Sequence, residues 1–125
     1  MTAVTIDGET IRISLEGMDK IWALKRELEI PLAHVRAAAV APAGIKPRGI
    51  RAPGTSIPGR YRAGTWRGSG TKEFWNVRDD EKALVLELDG DEYTRVVIET
   101  AEPNEVVAAI ESAMDRISQT AGNER

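Results

Sequence analysis

The stretch Pro103-Asn104-Glu105-Val106-Val107-Ala108-Ala109-Ile110-Glu111-Ser112-Ala113-Met114-Asp115-Arg116-Ile117-Ser118 decides the fold. Val106, Val107, Ile110, Ala113, Met114 and Ile117 recur at three- and four-residue steps, so they share one face of an amphipathic helix. Pro103 suits a first helical turn, where its missing N–H is not needed. Glu102 and Glu105 favour the positive end of the helix dipole. Gly122 marks the region where the helix is expected to have stopped. One apolar stripe needs a surface to cover, and almost everything before it reads as strand.

Val4 and Ile6 alternate with polar neighbours, Asp7-Gly8 signals a tight turn, and Ile11, Ile13 and Leu15 alternate again, which predicts a hairpin. Ile21, Leu24 and Leu28 fit a short helical face over about Asp19–Lys25, with a strand as the competing reading. Ile30-Pro31-Leu32 breaks any helix there. Val35–Ala41, small and apolar, reads as a buried strand, with an alanine-rich helix as the alternative. Pro42–Gly59 holds four prolines and four glycines and reads as a long loop or series of turns. Arg60–Arg67 and Lys72–Val77 read as strands joined at Gly68-Ser69-Gly70. After the polar turn Arg78–Glu81, Ala83–Leu88 and Tyr93–Glu99 read as a hairpin about Asp89-Gly90. Some seven short antiparallel strands in series must dispose of their edges by forming a barrel or sandwich, with the helix capping one opening. A single domain over 1–120 with a short tail at 121–125 is expected.

Composition narrows the function classes. No cysteine is present, which excludes disulfides, thiolate metal sites and a thiol nucleophile. Met1–Ile6 has no basic or apolar signal-peptide region, and no apolar run nears the roughly 20 residues of a membrane span. A soluble cytoplasmic protein is the resulting expectation. The net charge of −3 hides an asymmetry. Residues 30–72 carry eight basic residues and no acid, whereas 73–125 carry five basic and fourteen acidic ones. Within the acid-free block, Lys46, Arg48, Arg51, Arg60, Arg62 and Arg67 are the candidate ligand-binding residues, because arginine forks match phosphate or carboxylate. The plainer reading is a solvated loop plus a strand whose arginines pair with carboxylates such as Asp79, Asp80 or Glu87.

Other constellations are weaker. Tyr61 and Trp66 interleave with Arg60, Arg62 and Arg67 as nucleic-acid binders do, but a pI near 5.3 argues against nucleic acid. His34, the single histidine, lacks partners at metal-ligand or catalytic spacing and reads as structural. Asp79-Asp80-Glu81 lacks EF-hand spacing and reads as a turn. Trp22, Trp66 and Trp75 read as core or rim anchors. With no nucleophile elbow, phosphate-binding glycine motif or paired carboxylates, neither catalytic residue nor metal or cofactor is expected, and the chain reads as no enzyme.

Several pieces together resemble small bacterial proteins with a pleckstrin-homology-like (PH-like) domain. They are Leu28-Glu29-Ile30-Pro31-Leu32-Ala33-His34-Val35, Gly59–Trp66, Glu73-Phe74-Trp75-Asn76-Val77, and the run from Ala83 through Tyr93 to Glu102-Pro103. The resemblance spans about Val4 to Met114. It implies a seven-stranded antiparallel barrel or sandwich, mainly β, with a C-terminal helix. It is nearly silent on activity. Eukaryotic members often bind phosphoinositides through a basic loop between the first two strands. Here that loop, Asp7-Gly8-Glu9, is acidic, which argues against the same site. The expectation is a binding module that contacts an anionic ligand or an acidic protein surface through its basic loop and strand, with a peripheral membrane among the candidate partners. The alternative is a protein–protein or self-association domain, a homo-oligomer included, with no small-ligand site.

Overall fold

The computed structural model describes residues 2–15, 27–57 and 61–123. Alternation dictates the first sheet. β1 (Thr2–Asp7) and β2 (Thr10–Leu15) form the expected hairpin, turning at Gly8-Glu9 with Asp7 opposite Thr10. β3 (Glu27–Pro31) pairs antiparallel with β2 to complete a three-stranded sheet in the order β1-β2-β3. Pro31 therefore ends a strand, where the sequence suggests only a break. The proline is tolerated because β3 lies at the sheet's edge, where a strand needs donors on one side alone. The expected helix at Asp19–Lys25 and Trp22 lie outside the described residues.

A 3₁₀ turn at Leu32–His34 leads into the second sheet. Its strands are β4 (Val35–Val40), β5 (Ile50–Ile57), β6 (Tyr61–Gly68), β7 (Thr71–Val77), β8 (Ala83–Leu88) and β9 (Arg95–Glu99), in the order β4-β8-β9-β7-β6-β5. Two departures follow from this order. First, β9 inserts between β8 and β7 and runs parallel to β7, so the strands are not uniformly antiparallel. All five residues of β9 are buried, as expected for a central strand whose apolar run Val96-Val97-Ile98 must fit two covered faces. Second, β8 and β9 are joined by residues 89–94 and not by a two-residue Asp-Gly turn. The β6–β7 connection is the tight one, with Gly68 opposite Thr71 and Gly70 at φ +70°.

The nine described strands form two separate sheets, not a seven-stranded closed barrel. The chain is mainly β with one C-terminal helix. Pro42–Gly59 is not all loop, since β5 occupies Ile50–Ile57 and pairs with β6. Pro53 and Gly54 survive there because β5 is an edge strand and its register shifts between Arg51 and Gly54. β4 is a strand as expected but not a buried one. It is the sheet's other edge, and Arg36, Ala37, Ala39 and Val40 are exposed.

Helix α1 (Pro103–Asn123) runs through Gly122 instead of stopping near Ser118. Val107, Ile110 and Ala113 are buried, and Val106, Met114 and Ile117 pack half-buried around them. This stripe seals the principal core, where Ile11, Ile13, Leu28 and Ile30 of the first sheet meet Phe74, Leu84, Leu86, Val96 and Ile98 of the second. A smaller core lies on the second sheet's other face: Trp66, Trp75, Val77, Ala83, Val85 and Val97, closed by Ile45 of the β4–β5 connection. A sheet apolar on both faces needs two covers. The connection over residues 41–49 is the second cover.

Candidate functional site

β7 alternates Glu73, Trp75 and Val77 toward that outer face. Glu73 should be solvated by its chemistry, yet its side chain is fully buried. Four donor contacts explain this. Arg48 gives its backbone N–H to Oε1 at 3.2 Å and its Nε to Oε2 at 2.6 Å. Arg95 Nη2 donates to Oε1 at 2.9 Å, and Trp75 Nε1 donates to the same oxygen at 3.0 Å. Burial alone would push this carboxyl up. The hydrogen bonds from Arg95, Trp75 and Arg48 outweigh it and hold Glu73 below its ordinary value.

The same arginines hold the connection in place. Arg95 Nη2 also donates to the Lys46 carbonyl at 2.7 Å, and Arg62 Nη1 donates to the Ile45 carbonyl at 2.9 Å. The guanidinium of Arg62 stands 5.0 Å from the Trp75 ring centre and that of Arg95 5.6 Å away, both within cation–π range. Trp66 meets Trp75 edge-on at 6.2 Å. At the end of the connection, Gly49 takes φ +97° and lies so close to β6 that a Cβ would sit 2.3 Å from the Arg67 carbonyl oxygen. Only glycine permits both the angle and the approach.

The six basic residues expected to bind a ligand divide as follows. Lys46, Arg48 and Arg62 gather on this connection and the strand beneath it, whereas Arg67 meets the connection through its carbonyl and carries its side chain on the opposite face of β6 from Trp66. Arg48 and Arg62 are committed to the fold, although Arg48 is still half-exposed. Lys46 and Arg67 are exposed and have no ion-pair partner among the described residues. Arg51 is described by its backbone, opposite Trp66 across β5–β6. Arg60 lies outside the described residues. Arg48, on the connection itself, is not left solvated: the carboxylate that pairs with it is Glu73. Glu73 and Arg95 were both missed. The available signal was Glu73 sharing parity with Trp75 and Val77, a charge in an otherwise apolar row.

His34 is tied to the β8–β9 connection, its Nδ1 2.8 Å from Asp91 Oδ2, while Asp91 Oδ1 accepts the Tyr93 N–H at 3.1 Å. Among the described residues no three histidines or carboxylates gather as a metal site, and no helix is long and apolar enough to cross a membrane. Comparison with protein-family models, curated proteins and solved structures finds no match to this chain.

Proposed function

We propose that this chain is a non-enzymatic, cytoplasmic PH-like binding module whose basic outer face takes an anionic group, from a lipid headgroup or from an acidic protein surface. The carrying observation is the charge imbalance at the β4–β5 connection. Glu73 there is buried and already engaged by Arg48 and Arg95, while Lys46 on the connection and Arg67 at the end of β6 stand exposed without counter-charge among the described residues. Arg51 and Arg60 belong to the same acid-free stretch. A positive patch on an acidic protein favours anions locally and is screened by salt.

The geometry dictates which residues test the reading. Arg48→Glu would set a second carboxylate beside buried Glu73 and unfold the cover. The informative variant is therefore Lys46→Glu with Arg67→Glu, both exposed. Each cation near an anionic surface contributes about 1 kcal/mol, so reversing two should weaken binding by about a hundredfold or more. The wild type is expected to sediment with phosphatidylserine vesicles, or be retained on phosphocellulose, at low salt and to be released at moderate salt. Retention on phosphocellulose without vesicle binding would indicate an acidic protein as the source. Failure on both supports, or an unaffected double variant, would overturn the reading.

A further inference from the structure

A second surface lies on the other sheet. β1 is the outer strand of the three-stranded sheet, and among the described residues it pairs with β2 alone, so the backbone donors and acceptors along its far side have no ladder partner there. Its start is held firmly, because the Thr2 hydroxyl donates to the Glu99 carbonyl. Val4 and Ile6 face the core, opposite Ile13 and Ile11, but remain half-buried where their partners are fully buried. The reason is a gap. Between this edge and the first turns of α1 runs a cleft of about 320 Å³, lined by Val4, Thr5 and Ile6 on the strand and by Glu102, Glu105, Val106 and Ala109 on the helix.

We propose that this cleft takes an extended segment of another protein, added as a fourth strand to β1, with apolar side chains at alternate positions and lysine or arginine near its ends, at the rim beside Glu102 and Glu105. The strand period places every second side chain of an added strand on the core side, over Val106 and Ala109. The charge of the rim selects the partner. Glu102 and Glu105 are exposed, and neither has a cation partner among the described residues. Asp7, at the end of β1, is partly answered by Arg12 at 3.7 Å. A second copy of this chain fits the cleft poorly. Its β1 would carry its own α1 into the same space and set the same glutamates against these. An unattached basic strand meets neither obstacle. This site is independent of the basic outer face, which would repel the same segment.

The probe is a fluorescein-labelled peptide in which valine alternates with threonine and lysine, titrated against the full chain by fluorescence anisotropy. Amide shifts of the labelled protein are recorded alongside. Saturable binding is expected, with shifts concentrated at Val4–Ile6 and Glu105–Ala109. Ala109→Trp fills the cleft from an exposed helix position without altering charge and should abolish binding. Glu102→Lys with Glu105→Lys should raise Kd about tenfold or more. A variant of either kind that keeps its native circular dichroism and still binds like the wild type would overturn the proposal. So would a folded wild type that shows no saturation, shifts centred on Lys46–Arg67, or a dimer in sedimentation equilibrium whose interface is this edge.

Discussion

Arg95 Nη2 lies 2.9 Å from Glu73 Oε1 across two parallel strands, and both side chains are withdrawn from water. The register makes this pairing unavoidable, since Glu73 is directly opposite Arg95 in the β7–β9 ladder. Two charges, each costly to bury alone, thus arrive together on the sheet face that the β4–β5 connection covers. The pair has a consequence for folding. Because Arg95 also donates to Lys46 and Arg48 reaches Glu73, the cover can seat only when the parallel ladder is formed.

Removing one partner should therefore be far worse than its contact list suggests. Glu73→Ala leaves Arg95 buried without a counter-charge and is expected to cost about 3–5 kcal/mol. Glu73→Gln keeps an acceptor for Trp75 and Arg95 and should cost less. Urea denaturation of the two variants checks the order. Equal, small losses would show that Arg95 finds water instead.

The same carboxylate sets an acid limb. Burial raises its pKa, but Arg95, Trp75 and Arg48 together bring the folded value below the ordinary 4.5. A depressed folded value stabilises the charged form in the native state. The contribution is then complete above 4.5 and is lost as pH falls from there through the lower folded value. Urea midpoints between about pH 7 and pH 3 should show the gap between wild type and Glu73→Gln closing at the acid end. A constant gap would mean that another carboxylate governs acid unfolding.

Gly49 tests whether the connection is a fixed cover. Gly49→Ala requires a residue with a Cβ at φ +97° and places that Cβ 2.3 Å from the Arg67 carbonyl oxygen. The loss should be about 1–3 kcal/mol, with red-shifted tryptophan emission as water reaches Trp66 and Trp75. Gly44→Ala shares the positive φ, at +78°, but meets nothing within 4 Å. It should cost only about 1 kcal/mol and leave the emission in place.

Asp91 both braces the β8–β9 connection and ties it to the Leu32–His34 turn, one oxygen taking the Tyr93 N–H and the other facing His34. Asp91→Ala should destabilise by about 1–3 kcal/mol and speed amide exchange at Tyr93. His34→Ala removes a half-exposed ring from one of those bonds and should cost less. Equal exchange rates in both variants would locate the restraint in the histidine.

The sequence was informative wherever one face of an element meets the core. The β1–β2 hairpin, the tight turn before Thr71 and the stripe from Val106 to Ile117 depend on short-range alternation and glycine angles, which no distant contact needs to supply. β3 and β5 were hidden because Pro31, Pro53 and Gly54 are breakers in a central strand and harmless at an edge. Edge position is a property of the assembled sheet. The insertion of β9 beside β7, likewise, depends on pairing between strands far apart in the chain.

The candidate site shows the same division. The charge block that supplies Lys46, Arg48, Arg62 and Arg67 is determined by the sequence alone. That Arg48 is engaged within the fold is decided by Glu73, which with Arg95 is brought beneath the connection by the parallel ladder. Charge along a chain is additive and can be counted, but burial depends on what is packed overhead. Only the tertiary structure, by laying residues 41–49 across the outer face, turned one glutamate into an internal counter-ion and left Lys46 and Arg67 facing solvent.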